Sequence, residues 1–115
     1  MSHKRRNHAR AKRPSHAPVF AALGDQTRLA LVARLSNGQP HSISQLTEGF
    51  KVTRQAVTKH LRVLEGAGIV HRVRAGRQSL FEFDPNPIQE VKEYLDLVSE
   101  QWDQTLARLK SFVED

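Results

Sequence analysis

The 115-residue chain has no cysteine and only one methionine, one tryptophan and one tyrosine. Without thiols there are no disulfides, no thiolate metal ligands and no thiol redox chemistry. No apolar run approaches the roughly 18 residues that a membrane span requires, and no secretory apolar segment follows the N-terminus. Acid is scarce until late in the chain. Residues 1–13 hold six Lys/Arg and no carboxylate, residues 14–83 nine basic against four acidic side chains, and residues 84–115 three against eight. The net charge of +6 therefore hides two basic segments followed by an acidic one. Such segregation points to one part that faces a polyanion and another that faces elsewhere. At this length one domain is expected, burying about two-thirds of its unfolded surface.

What is present is mainly helical patterning. Residues 1–16 have almost no large apolar side chain and are expected to be disordered. They read as a basic arm for phosphates or a minor groove, or else as a solubilising tail. From Pro18 the stripe Val19, Phe20 and Leu23 begins a helix that stops at Gly24. Asp25 can cap a second helix with Arg28, Leu31, Val32 and Leu35 on one face, ended by Ser36-Asn37-Gly38. His41-Ser42-Ile43 reads as a brief extended segment, and Ser42 with Gln45 fits a capping box. Ile43, Leu46 and Phe50 then stand at i, i+3 and i+7 on a short third helix, Ser44 to Phe50.

The stretch Lys51 to Val70 follows after a turn of two residues. Thr53 is a good N-cap, Val57, Leu61 and Leu64 form a buried stripe, and Gln55, Lys59 and Arg62 lie opposite with Thr58 beside them. Alone, this is equally an amphipathic surface helix with a solvated face. Two short helices joined so closely must cross steeply, however, which is helix-turn-helix geometry. After Gly66-Ala67-Gly68, the runs Ile69 to Arg74 and Gln78 to Asp84 flank Ala75-Gly76-Arg77 and predict a hairpin. Its packed face is read as Val73, Phe81 and Phe83, leaving Arg72, Arg74 and Arg77 on the ribbon and its tip. A cationic hairpin in this position acts as a wing; in isolation it would read as a charge-protected edge.

Asp84-Pro85-Asn86-Pro87 stops the strand and opens a long helix to about Val113. Ile88, Leu95, Trp102 and Leu109 recur every seven residues, as do Val91, Val98, Thr105 and Phe112, with Leu106 and Val113 widening the seam. This surface pairs with a twin or folds back on its own domain; pairing suits a small winged domain with little core to cover it. The six histidines offer no Ser/His/Asp order, HExxH or ligand spacing, and no Gly-rich phosphate loop occurs. The chain is not expected to be an enzyme. His60 reads as a boundary side chain, bonded to backbone or reaching a phosphate.

Ala22-Leu23-Gly24-Asp25-Gln26-Thr27-Arg28 resembles the helix junction of ArsR-type bacterial repressors, and Thr53 to Val70 resembles their recognition helix with its exit into the wing. The resemblance covers residues 17–115, with Thr58, His60, Leu61, Leu64, Ala67 and Gly68 in step. It implies a homodimeric winged helix-turn-helix that binds an operator, usually represses, and pairs through its first and last helices. Metal-sensing relatives carry a Cys-x-Cys pair before the recognition helix, or histidines on the last helix. This chain has neither, since no histidine follows His71. The resemblance is to the branch without metal sensing, and carboxylates alone make a poor zinc or nickel site.

The expected fold is mainly α with a small β-hairpin wing: an arm at 1–16, a winged helix-turn-helix at 17–86 and a dimerisation helix at 87–115. Expected DNA contacts are Arg54, Gln55, Thr58, Lys59, Arg62, Arg74 and Arg77. The expected dimer interface is Val19, Phe20, Leu23, Ile88, Val91, Leu95, Val98, Trp102, Leu106 and Leu109. The partners are double-stranded DNA and a second copy, with a small-molecule or protein effector of unknown kind; no metal, cofactor or membrane is expected. The location is the bacterial cytoplasm, on the nucleoid while bound. Other readings are a non-specific or architectural nucleic-acid binder driven by the arm, and a protein-interaction module using the long helix.

Overall fold

Side-chain caps fix where three of the helices begin. Asp25 accepts from the Arg28 backbone N–H at 3.0 Å, and Thr53 from that of Ala56 at 3.0 Å. Ser42 and Gln45 close a reciprocal capping box, at 3.2 and 2.8 Å. Each satisfies amides that the first turn leaves without an intrahelical partner. The computed structural model describes residues 16–114. In order, these form α1 (Ala17–Leu23), α2 (Gln26–Leu35), α3 (Ile43–Thr47), α4 (Arg54–Gly66), β1 (Val70–Ala75), β2 (Gln78–Phe83) and α5 (Asn86–Glu114). The expected basic arm falls on residues 1–15, outside the described range.

The core gathers one stripe from each element. Leu31 and Leu35 of α2, Leu46 of α3, and Val57, Leu61 and Leu64 of α4 meet Val19 and Ala22 of α1. Ile69, Val70 and Phe81 close it from the wing side, and Val91 is contributed by α5. The helix α4 ends in a Schellman motif, with Ile69 N–H donating to the Leu64 carbonyl and Gly68 N–H to that of Glu65, both at 3.0 Å. Leu64 and Ile69, joined by the first of these bonds, are both fully buried. This fixes the direction in which β1 leaves the helix.

β1 and β2 pair antiparallel from Val70↔Phe83 to Ala75↔Gln78. The loop Gly76-Arg77 has positive φ at Gly76 alone, as a type II′ hairpin turn requires. The expected extended segment at His41 is an added bridge: His41 and Phe81 exchange backbone hydrogen bonds of 2.9 and 2.8 Å.

Three local expectations are corrected. Val73 is not on the packed face with Phe81 and Phe83; the register sets it opposite Leu80 on the other face, and Val70 takes the inner place. The third helix stops at Thr47, not Phe50, because the chain leaves helical torsions at Glu48 and turns through Gly49 at φ +84°. Arg34 holds that turn. Its guanidinium donates to the Leu46 and Glu48 carbonyls and stacks on the Phe50 ring at 4.5 Å. Val19 and Val91, read as dimer-interface residues, are 8% and 5% exposed and belong to this chain's own core. Ile88 is packed against that core as well.

Candidate nucleic-acid interface

The outer face of α4 carries the expected reading residues together. Arg54, Gln55, Lys59 and Arg62 are exposed, Thr58 is half-buried, and the five line one shallow open hollow. The inward stripe Val57, Leu61 and Leu64 is fully buried, so the core fixes which face the helix shows to solvent. The Thr58 hydroxyl donates to the Arg54 carbonyl at 2.8 Å, leaving its lone pairs and its methyl group for an outside contact. Among the described residues, Arg54, Lys59, Arg62, Arg74 and Arg77 have no carboxylate within 4.0 Å. Arg77 sits in the wing turn and Arg74 one residue before β1 ends, both exposed.

Arg72 is different. Its Nε bonds both carboxylate oxygens of Glu65, at 3.1 and 3.3 Å, and its guanidinium lies over Phe81 at 5.3 Å. It braces the wing against α4 and is not a free cation. Two other buttresses were missed in the sequence. Arg34 fixes the turn between α3 and α4, as described above. Arg28 donates to the Ala22 carbonyl at 2.6 Å, to the Ala21 carbonyl at 3.3 Å, and to His60 Nδ1 at 3.2 Å. The sequence signal was available at Asp25-Gln26-Thr27-Arg28, where a cap and a cation stand one helical turn apart.

The histidines take separate partners. His60 faces Arg28 and, at 3.8 Å, Asp25, and among the described residues it has no bond to the backbone. His71 Nε2 meets Asp84 at 2.8 Å, and His41 contacts the Gln39 carbonyl. The Asp25 carboxyl is held below the usual carboxylate range, chiefly by the Arg28 N–H and then, against the push from burial, by the charges of His60 and Arg28. Asp84 is lowered chiefly by the Asn86 N–H, with His71 adding to it. Among the described residues, no three His, Asp or Glu side chains converge on a point that would hold a metal ion.

On α5 the far part of the seam is uncovered. Leu95, Trp102, Leu106 and Leu109 are 47–59% exposed, Val98 is half-buried, and Phe20 of α1 stands 6.4 Å from the Tyr94 ring. Leu23 is half-buried against the core. No helix of the described residues is long and apolar enough to cross a membrane.

These features agree with the known proteins that the chain resembles. A helix-turn-helix domain model matches residues 23–73. A helix-turn-helix-type transcriptional regulator of Mycobacterium tuberculosis is 37% identical over 68% of this chain and 72% of its own length. Among solved structures, an ArsR-like transcriptional regulator from Rhodococcus sp. RHA1 is 34% identical, covers 85% of this chain and 89% of its own, and superposes with a TM-score of 0.77. The homodimeric winged helix-turn-helix domain of a Mycobacterium bovis protein shares the fold at 18% identity, over 74% and 78% of the two chains, with a TM-score of 0.58. Sequence, helix order, hairpin wing and relatives converge: this chain is a DNA-binding transcriptional regulator of the ArsR-type winged helix-turn-helix family.

Proposed function

We propose that the protein works as a homodimeric repressor on an inverted-repeat operator. Residues 17–86 form the DNA-reading unit and residues 87–115 the pairing helix, joined by α1. Two copies of α4 enter successive major grooves about 34–36 Å apart, or closer if the DNA bends. Gln55 suits adenine and Lys59 suits guanine, by the donors and acceptors that each presents. Thr58 and Arg62 reach bases or the flanking backbone, and Arg54, Arg74 and Arg77 contact phosphate or the minor groove. The bound dimer excludes polymerase, and a small-molecule or protein effector sets its occupancy. The proposed place of action is the bacterial cytoplasm, at the nucleoid.

One observation carries this reading. The face of α4 turned away from the core holds an amide and three cations that have no carboxylate partner among the described residues. A helix merely solvated on that side has no need of such one-signed charge, whereas a phosphate-lined groove does. Selection of bound sites from a random duplex pool tests the proposal. The expected result is a palindromic site preferred roughly 10³-fold or more over competitor DNA. Recovery of unrelated sequences with no symmetry would refute specific dimeric reading. Gln55→Ala should cost about 1–3 kcal/mol on the selected site and relax preference at one base position per half-site.

A further inference from the structure

The junction of α1, α2 and α4 contains a polar cluster that DNA reading does not use directly. Arg28 reaches from the first turn of α2 to the last carbonyls of α1, donating to Ala22 at 2.6 Å and to Ala21 at 3.3 Å. Those carbonyls lie in the last turn of that helix, where Ala21 also accepts from the Gly24 N–H at 3.2 Å, and the guanidinium adds a side-chain cap to it. The same side chain places its other terminal nitrogen 3.2 Å from His60 Nδ1, on the half-buried flank of α4. One arginine thus ties the short first helix to the reading helix.

The chemistry of this contact is asymmetric. A guanidinium is only ever a donor, so Nδ1 of His60 accepts, and the ring proton resides on Nε2. A second proton on the ring removes the acceptor and sets two positive donors 3.2 Å apart. The Asp25 carboxylate, 3.8 Å from the same nitrogen, is the alternative partner. Asp25 is already anchored as the N-cap of α2 through the Arg28 N–H. Asp25 and Arg28 are the charged groups that face His60 among the described residues; α1 offers only the two carbonyls, and Arg72 of β1 is paired with Glu65. At about 100° per residue, His60 lies 100–160° around α4 from Gln55, Lys59 and Arg62, so its own charge points away from the reading face.

We propose that His60 is a positioning residue for DNA recognition, and that its protonation transfers its bond from Arg28 to Asp25 and loosens α4 from α1. The device rests on the reading that α4 contacts DNA, and it makes operator affinity fall as pH falls.

The test is operator affinity of the full chain at about pH 8 and about pH 5.5, using the duplex selected from the random pool. The parent should lose roughly three- to tenfold at the lower pH, the net scale of one ordinary hydrogen bond. His60→Asn puts a neutral acceptor where Nδ1 stands, and it should bind like the parent at high pH but keep that affinity at low pH. The other histidines are common to both proteins, so the difference isolates His60. Equal pH profiles for parent and variant would overturn the inference. In the free parent protein, the Arg28 Nη1–H resonances, which belong to the group bonded to His60, should move as pH is lowered; resonances that ignore it would overturn the inference even if His60→Asn fails to fold. No binding by the parent at either pH would sink the DNA-reading assignment and this device together. Binding that is lost in Lys59→Ala but indifferent to His60 would sink only the device.

Discussion

Single side chains divide into those that hold the interface in place and those that it offers to a ligand. Arg34, Arg72 and Arg28 are all cationic, yet each is bonded within the fold, to turn carbonyls, to Glu65, and to the end of α1 with His60. Among the described residues Arg77 has no such partner, and it stands in the wing turn. Arg77→Ala should therefore weaken all duplexes about equally and lower the salt slope by about one unit, leaving base preference unchanged; filter binding against salt would show it. Arg72→Ala should instead lower thermal stability, with a smaller salt effect. The lowered carboxyls of Asp25 and Asp84 give an acid dependence with a definite sign. A carboxyl whose folded value lies below its unfolded one stabilises the fold above the unfolded value and loses that contribution as pH falls through the folded one. The stability gap between the parent and Asp84→Ala should be present at neutral pH and close below about pH 4, as read by urea melts at several pH values.

At the scale of elements, much was legible because capping and turn chemistry are local. Asp25, the Ser42–Gln45 box and Thr53 each act within four residues, and all three form the predicted bonds. Thr53→Ala should cost about 1 kcal/mol in a thermal or urea melt, while leaving the α4 stripe in place. Gly76, at φ +62°, is the one residue of the wing tip that a side chain would strain; Gly76→Val should cost about 1–2 kcal/mol and loosen the hairpin that presents Arg77. The register of that hairpin was not legible. The doublets Ile69-Val70 and Leu80-Phe81 fit either parity, and the choice is made by the Schellman exit from α4, which turns Val70 inward. The end of α3 was missed for a similar reason: Phe50 continues the apolar spacing, but Gly49 and the reach of Arg34 turn the chain first. The cluster of Arg28 with His60 spans 32 positions, and no local pattern encodes such a contact.

For the whole molecule, the seam of α5 does two different things along its length. Its first turns carry Ile88 and Val91 into the core, whereas Leu95, Trp102, Leu106 and Leu109 leave roughly half of each side chain in water. The heptad count from sequence treated these as one surface, because periodicity fixes which face is apolar but not what covers it. The distinction gives a clean separation of folding from pairing. Leu61→Ala, in the core, should cost about 2–5 kcal/mol and lower the melting temperature at every protein concentration. Trp102→Glu with Leu106→Glu places charges only where the chain's own domain makes no use of the surface. The doubly substituted protein should keep its helix content and the low-concentration melting behaviour of the parent, while light scattering reports a monomer. Its affinity for a single half-site should survive and its preference for the full palindrome should vanish, because one folded unit carries one α4 and only pairing brings two to the same duplex. A dimer that persisted through both charges would move the pairing surface away from this part of α5 and onto Phe20, Tyr94 and the exposed flank of α1.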